Sequence, residues 1–236
     1  MYEPYDDVRL IFAYDDQSDL NKEHVVRLVV VRHGATANNL AAQFTGQSDV
    51  PLSALGEQQA LALATSLADE RFNALISSDL QRARATLAPL AELLEQPVQL
   101  DIALREISVG VWEGQSGAAV RALYPGAIER WEESDLYAPE GGETVAAFRE
   151  RIVEAFERTR REFPDGSVLW MTHGGVLGVL LCHVLGTDIQ RRWQFRRDNT
   201  AIFEFDVGAD YCIIMRANDT AHLRHLKVGA EAAQIL

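Results

Sequence analysis

Two histidines, His33 and His173, each stand at the end of a short apolar run and are followed by a glycine. Apolar runs of this kind, 29–31 and 169–171, are typical of buried strands when a turn signal follows them. In parallel α/β sheets, ligands bind just beyond the carboxyl ends of the strands. We therefore expect both imidazoles at one edge of a sheet, facing a common ligand.

Two arginines are expected beside these histidines. Arg32 directly precedes His33, and Arg82 lies in the first turns of a helix that follows another strand, at the same topological edge. Guanidinium groups bind phosphate oxygens in a bidentate manner, and helix N-termini add N–H donors. This set of side chains suits a phosphoryl group. A solvated helix position is the alternative interpretation of Arg82, because arginine is mostly exposed.

The same histidines could instead bind a metal ion. The sequence has no HxxxH or CxxC spacing and offers no obvious carboxylate as a third ligand. An arginine beside a metal-bound histidine would also repel the ion. We therefore expect neither a metal nor another cofactor.

Composition restricts the partners and the compartment. The chain of 236 residues has 47% hydrophobic residues and a formal net charge of −13, which argues against nucleic acid or an anionic membrane surface as partner. It has no apolar run of 18 residues, and its acidic N-terminus lacks the pattern of a signal peptide. Cys182 and Cys212 lie in apolar contexts typical of reduced core thiols, so we expect a cytoplasmic protein.

Predicted strands alternate with predicted helices, which indicates an α/β fold with an antiparallel edge. Asp79 is expected to cap the helix that carries Arg82. The strands are predicted at 25–31, 74–77, 98–100, 168–171, 201–206 and 211–216. The helices are predicted near 38–42, 53–68, 80–94, 116–123, 126–134, 143–163 and 174–185.

The chain is expected to form one principal domain at 25–220. Residues 1–24 are predicted to be an acidic extension in which 8–14 adds an edge strand or hairpin, and 221–236 a C-terminal tail. The irregular stretch 105–142 is rich in glycine, proline and tryptophan, and we expect it to leave the sheet and roof a pocket. Its aromatic residues either line that pocket or pack within the stretch; they are Trp112, Trp131 and Tyr137.

Seven segments in this order resemble the histidine phosphatase superfamily, which has the phosphoglycerate mutase-like fold. The resemblance covers roughly 25–220 and implies a three-layer sandwich, with a mostly parallel central sheet, one antiparallel edge strand and helices on both faces. The segments are Arg32-His33-Gly34-x-Thr36-x-x-Asn39, Phe44-Thr45-Gly46, Pro51-Leu52-Ser53-x-x-Gly56-x-x-Gln59-Ala60, Ser77-Ser78-Asp79-Leu80-x-Arg82-Ala83, Leu104-Arg105-Glu106-Ile107-x-x-Gly110-x-Trp112-Glu113-Gly114, Gly141-Gly142-Glu143-Thr144 and Thr172-His173-Gly174-Gly175.

The resemblance implies a role for each site residue. His33 would be the nucleophile that forms a phosphohistidine, and Glu106 the acid that protonates the leaving oxygen. Glu113 is the nearby rival for that second role, although a surface carboxylate is the simpler interpretation of it. The residues implied to bind the substrate phosphate or line its pocket are Arg32, Asn39, Thr45, Gly46, Arg82, His173 and Gly174.

The segment 104–114 resembles the phosphatase branch of the superfamily, whereas the mutases carry Asn-Glu-Arg-His-Tyr-Gly there and a later pair of arginines. After Pro125 this chain offers only Arg130 in that region. We therefore predict hydrolysis of a small phosphomonoester; sugar phosphates, glucosyl-3-phosphoglycerate and α-ribazole phosphate are candidates. A cofactor-dependent phosphoglycerate mutase and an inactive binding or scaffold protein are the alternatives. A homodimer through 202–216 or the N-terminal extension is a further expectation.

Overall fold

A six-stranded sheet in the order β3-β2-β4-β1-β5-β6 forms the centre of the protein. The structure is a computed structural model, and it describes residues 24–226. The expected strand at 8–14 and most of the C-terminal tail therefore lie outside the described residues. The strands are β1 (Val26–Arg32), β2 (Ala74–Ser77), β3 (Val98–Leu100), β4 (Ser167–Thr172), β5 (Ile202–Val207) and β6 (Cys212–Asp219).

Most of the sheet is parallel. Strands β3, β2, β4 and β1 pair in parallel, whereas β5 runs antiparallel to both β1 and β6. The predicted sheet is thus confirmed, with its one reversed strand beside the edge strand β6. Because β5 is reversed, its N-terminal end meets the carboxyl ends of β1 and β4.

Helices cover both faces of the sheet, as the alternation of side chains in β1 requires. Leu28 and Val30 face one core, which α6 and α7 complete, and Val29 and Val31 face another, which α2 and α3 complete. The helices are α1 (Ala37–Leu40), α2 (Ala54–Ser66), α3 (Gln81–Leu93), α4 (Gly117–Leu123), α5 (Ala127–Glu133), α6 (Val145–Glu162) and α7 (Gly174–Val184). This arrangement is the expected three-layer sandwich.

Helix α3 begins without the expected cap. Its N-cap residue is Leu80, whose side chain makes no capping hydrogen bond, so the prediction that Asp79 caps the helix is wrong. The Asp79 carboxylate instead accepts two hydrogen bonds from Arg105, at 2.6 Å from Nε and 2.5 Å from Nη2. A bidentate guanidinium is a stronger donor to this carboxylate than the amides of a helix start.

The stretch 105–142 leaves the sheet and carries short 3-10 and α-helices, including α4 and α5. It forms its own core against Phe148 of α6 and Val176 of α7. Trp112 and Trp131 are both buried in that core, with ring centroids 5.7 Å apart. These two tryptophans therefore pack within the stretch.

None of the helices within residues 24–226 is both long enough and apolar enough to cross a bilayer.

Candidate active site

The ends of β1 and β4 bring the two predicted histidines together. Arg32 and Thr172 are paired in register, and the backbone N–H of His33 donates to the Thr172 carbonyl at 2.8 Å. Both strands therefore end at the same level of the sheet, and the ring centroids of His33 and His173 lie 5.1 Å apart. The two imidazoles therefore lie side by side at one edge of the sheet, as the sequence predicted.

The His33 imidazole is held with one nitrogen free of protons. Its Nδ1 lies 2.7 Å from the Gly34 carbonyl oxygen, which can only accept, so Nδ1 carries the proton. Its Nε2 is left as an acceptor and receives a hydrogen bond from Arg82 Nε at 3.3 Å. Burial, then the cations of Arg82 and Arg32, hold the pKa of His33 well below 6.5. At neutral pH the ring is uncharged and presents a lone pair at Nε2.

Arg82 is buried, with 1% of its surface exposed, so the solvated interpretation of this residue is wrong. Its two terminal nitrogens donate to the carbonyls of Ser48 at 2.8 Å and Gly46 at 2.7 Å. Burial lowers its pKa to about 10, which still leaves the guanidinium charged at neutral pH. A buried cation is therefore fixed beside the His33 ring.

The loop that receives Arg82 is itself fixed by Glu113. One carboxylate oxygen of Glu113 accepts from the Gln47 backbone N–H at 2.8 Å, and the other accepts from the Ser48 hydroxyl. Gly46 adopts φ +51°, the left-handed region that favours glycine. The contacts of Glu113 thus shape the loop that carries two acceptors for Arg82.

His173 is fully buried and faces Ser78. Its Nε2 lies 2.8 Å from the Ser78 hydroxyl, which also accepts the Leu80 backbone N–H at 3.3 Å. With the hydroxyl proton directed to Nε2, Nδ1 carries the N–H of the neutral ring. Burial, then Arg82, His33, Arg32 and Arg151, holds the pKa of His173 well below 6.5.

Two buried nitrogens of the cluster have no hydrogen-bond partner among the described residues: His173 Nδ1 and Arg32 Nε. Arg32 packs on the start of α7, where a Cβ on Gly174 would lie 3.4 Å from Arg32 Nε. Unpaired buried donors are costly, and an anionic oxygen at this place would accept from both of them. The donor set thus fits a phosphoryl group.

Glu106 adds a carboxylate to this edge of the sheet. Its Oε2 accepts the Gly175 backbone N–H in the first turn of α7 at 2.9 Å, and its Oε1 accepts the Ile107 N–H at 2.9 Å. It lies near enough to Arg32 and Arg82 to stabilise both cations. The side chain therefore faces the cluster that contains the two histidines.

Two other predicted residues make hydrogen bonds outside this cluster. Asn39 closes a capping box with Thr36 at the start of α1. Its Oδ1 also lies 3.4 Å from Nδ2 of Asn199. The Thr45 hydroxyl donates within its own loop, to the Gln43 carbonyl at 3.5 Å.

Sequence reasoning missed Asn199 and Arg197. Asn199 Nδ2 donates to the His33 carbonyl at 2.9 Å, and the Arg197 carbonyl accepts from Arg32 Nη1. The guanidinium of Arg197 donates to the Gly174 carbonyl at 2.8 Å, and burial lowers its pKa to about 10. The polar run 196–200 precedes a reversed strand, and that was the available signal, since such a run returns to the edge where parallel strands end.

In the part of the chain that the structure describes, no group of three or more histidine, cysteine or carboxylate side chains is placed to hold a metal ion.

Comparison with known proteins places the chain in a family. The family model "Histidine phosphatase superfamily (branch 1)" matches residues 28–220. A glucosyl-3-phosphoglycerate phosphatase of Mycolicibacterium vanbaalenii is 36% identical over 70% of this chain and 76% of its own length. A probable phosphoglycerate mutase of Yersinia enterocolitica is 33% identical over 84% of this chain and 95% of its own length.

A solved structure shows the same architecture. The native mycobacterial glucosyl-3-phosphoglycerate phosphatase has a TM-score of 0.75 and 28% identity, and the match covers 83% of this chain and 100% of that one. The predictions of the family, of the fold and of a phosphatase are confirmed by these likenesses. The chain belongs to branch 1 of the histidine phosphatase superfamily.

Proposed function

We propose that this phosphatase hydrolyses a small phosphomonoester through a phosphohistidine on His33. The observation that carries the proposal is the neutral His33 ring, whose Nε2 lone pair faces the buried Arg82 guanidinium at 3.3 Å. Neutral imidazole is a competent nucleophile, and a covalent intermediate divides one difficult displacement into two easier ones.

In the proposed first step, Arg32, Arg82 and His173 bind the phosphoryl oxygens, and His33 Nε2 attacks phosphorus. The P–N bond forms as the ester P–O bond breaks, and the electron pair leaves with the substrate oxygen. Fixed donors stabilise the charge on the equatorial oxygens without having to reorganise. Glu106, protonated for this step, gives its proton to the leaving oxygen.

In the proposed second step, water attacks the phosphohistidine. Glu106, now a carboxylate, accepts a proton from that water while the P–N bond breaks and inorganic phosphate forms. The electron pair of the broken bond returns to His33 Nε2. We further propose that Asn39, Thr45, Gly46 and Gly174 complete the wall around the phosphate.

Glu106 is favoured over Glu113 because of what holds each carboxylate. Glu106 accepts a hydrogen bond from the first turn of the helix that follows His173, and it lies near enough to Arg32 and Arg82 to stabilise both cations. Glu113 instead accepts from the loop at 47–48 through both of its oxygens. The hydrogen bonds of Glu113 serve to shape the loop that binds Arg82.

Water is the proposed acceptor, and the mutase is the alternative to be tested. Arg130 is exposed, and its guanidinium lies over the Tyr137 ring at 5.3 Å. It therefore offers no second anion site like the Arg32 and Arg82 pair. The name of the mycobacterial relatives makes glucosyl-3-phosphoglycerate the first substrate to test, followed by other sugar phosphates and α-ribazole phosphate.

We propose that the enzyme needs no metal and works in the cytoplasm. Cys182 and Cys212 are both free thiols, which suits a reducing compartment. The net charge of −13 disfavours nucleic acid as a partner. A homodimer through the edge strand β6, where Ile213 and Met215 are exposed, is proposed for test by sedimentation.

Steady-state release of phosphate from p-nitrophenyl phosphate in the presence of EDTA tests the proposed function. His33→Ala should lose at least about 1,000-fold in kcat, because the nucleophile is removed. His225→Ala is the matched control, since His225 is exposed and should leave the rate unchanged. Equal rates in His33→Ala and wild type would contradict the proposal.

Three further results would change the proposed function. Abolition of activity by EDTA would revive the metal interpretation, and no phosphate release from any phosphomonoester would favour a scaffold protein. Formation of 2-phosphoglycerate from 3-phosphoglycerate and 2,3-bisphosphoglycerate, faster than phosphate release, would favour the mutase.

A further inference from the structure

Arg151, on α6, donates every N–H of its guanidinium to hydrogen bonds. The acceptors are the carbonyls of one loop and the carboxylate of Glu143. Nη1 donates to the carbonyls of Ala103 at 2.7 Å and Arg105 at 2.8 Å. Nη2 donates to the Glu106 carbonyl at 3.0 Å and to Glu143 Oε1 at 2.7 Å, and Nε donates to Glu143 Oε2 at 3.1 Å. An arginine has five such donors, so none is left over.

The loop that Arg151 binds is the one that carries Glu106, and side chains bind its backbone carbonyls. The Leu104 carbonyl accepts from the Thr172 hydroxyl at 2.8 Å, at the end of β4. The Glu106 carbonyl also accepts from Gln47 Nε2 at 3.2 Å. Four consecutive carbonyls, 103–106, are therefore held by side chains from three other parts of the chain.

Glu143 holds the backbone of the same loop on the far side of Glu106. Its Oε1 accepts the Ser108 backbone N–H at 2.8 Å, and its own N–H donates to the Ser108 carbonyl at 3.0 Å. The Arg151 and Glu143 side chains are 22% and 20% exposed, so water competes weakly for these bonds. The pair thus fixes the backbone on both sides of Glu106.

We propose that Arg151, paired with Glu143, is the positioning residue of the general acid. This inference rests on the proposed role of Glu106. Within residues 24–226, two backbone N–H groups are the only hydrogen-bond donors to the Glu106 carboxylate, so its direction depends on where its own backbone lies. A displacement of about 1 Å in a reacting group can cost about 100-fold in rate.

A guanidinium suits this task because its donors lie in one plane and point in fixed directions. Lysine has three donors on a compact ammonium, so it cannot span two carbonyls, a third carbonyl and a bidentate carboxylate at once. Arg151→Lys should therefore keep the charge and the fold and still misplace Glu106. Arg151→Met keeps an unbranched side chain but removes the charge, the hydrogen bonds and the guanidinium that lies over the Phe148 ring at 4.6 Å.

The test compares two substrates of similar size. p-Nitrophenyl phosphate releases a stable phenolate without a proton, whereas benzyl phosphate releases an alkoxide that needs one. Arg151→Lys and Arg151→Met should each lower kcat for benzyl phosphate by about 30- to 100-fold and for p-nitrophenyl phosphate by less than about threefold. Because Arg151 also influences the pKa of His173, turnover of p-nitrophenyl phosphate reports any change at the phosphate site itself.

Arg158→Met is the matched control. Arg158 lies on the same helix and also pairs with a carboxylate, that of Asp101, and its loss should leave the ratio of the two rates unchanged. In the Glu106→Gln background, adding Arg151→Lys should change benzyl phosphate turnover by less than about twofold, because the acid is already gone.

Each outcome decides the proposal. Equal losses on both substrates in the two Arg151 variants, with selective loss in Glu106→Gln, would overturn the positioning role and leave Glu106 as the acid. Equal losses in Glu106→Gln itself would overturn the acid assignment, and with it the idea that Arg151 positions an acid. Should Arg151→Met fail to fold, as judged by circular dichroism, Arg151→Lys gives the same decision.

Discussion

The charge state of His33 is the residue-scale feature on which the chemistry depends. The two guanidinium groups that would bind the phosphoryl oxygens also oppose protonation of the ring, and burial opposes it further. In the proposed mechanism, one set of side chains therefore both binds the substrate and keeps the nucleophile in its reactive form.

Arg82→Gln should raise the pKa of His33 toward 6.5, because it removes the nearer cation that disfavours the protonated ring. The titration of His33 Nε2 by 15N NMR in the absence of substrate would measure this shift. In wild type the ring should stay neutral at pH 6, and in Arg82→Gln its midpoint should move to higher pH. An unchanged midpoint would show that burial alone sets the pKa.

At this scale, the sequence predicted the residues that chemistry demands and missed those that only position them. The two histidines, Arg32, Arg82 and Glu106 are brought together as expected. Asn199 and Arg151 bind backbone carbonyls, and the residue types in a sequence do not indicate which side chain will bind a carbonyl. Arg105 was likewise not expected as the partner of Asp79, whose carboxylate it binds in place of the predicted helix cap.

At the scale of elements, the ends of two strands and the start of one helix meet at one edge of the sheet. Strands β1 and β4 deliver His33 and His173, and helix α7 begins immediately after the second. Gly175, in the first turn of α7, leaves room for Glu106: a Cβ there would lie 2.0 Å from Glu106 Oε1. The glycine that follows the second histidine motif thus has a steric purpose.

Gly175→Ala should therefore displace the Glu106 carboxylate and lower kcat for benzyl phosphate by about 10- to 100-fold. Gly117→Ala is the matched control, because Gly117 also lies at the start of a helix and a Cβ there meets nothing closer than 3.5 Å. Wild-type turnover in Gly175→Ala would contradict the contact between α7 and Glu106.

The boundaries of the elements were predicted well where periodic apolar residues end at a turn. Strand β2 was predicted at its observed residues, and β4 within one residue at each end. In the stretch 105–142, α4 and α5 were predicted within one residue at each end. The core of the stretch was not predicted, because residues of α6 and α7, outside the stretch, complete it.

At the scale of the whole molecule, buried histidines link stability to pH. The pKa values of His33 and His173 in the folded protein lie below 6.5, the ordinary value that an unfolded chain shows. As the pH falls through 6.5, both histidines bind protons in the unfolded chain but stay neutral in the folded protein. Their contribution to stability is thus complete above pH 6.5 and is lost as the pH falls toward the lower folded values.

Urea unfolding followed by tryptophan fluorescence should show this loss between pH 7.5 and pH 5.5. Each buried histidine can contribute about 1.4 kcal/mol per pH unit below 6.5, so the free energy of unfolding should fall by about 1 to 3 kcal/mol. His33→Gln should make the dependence shallower over the same range. Stability that rises on acidification would contradict the directions of both pKa shifts.

The central claim is that a phosphoryl group is carried on His33, and trapping it is the most direct test. Wild-type enzyme mixed with p-nitrophenyl phosphate, quenched in alkali within milliseconds and digested, should yield a phosphorylated peptide that contains His33, identified by mass spectrometry. His225→Ala should yield the same peptide, and His33→Ala should yield none. Rapid turnover with no phosphate on His33, or full activity in His33→Ala, would contradict the account.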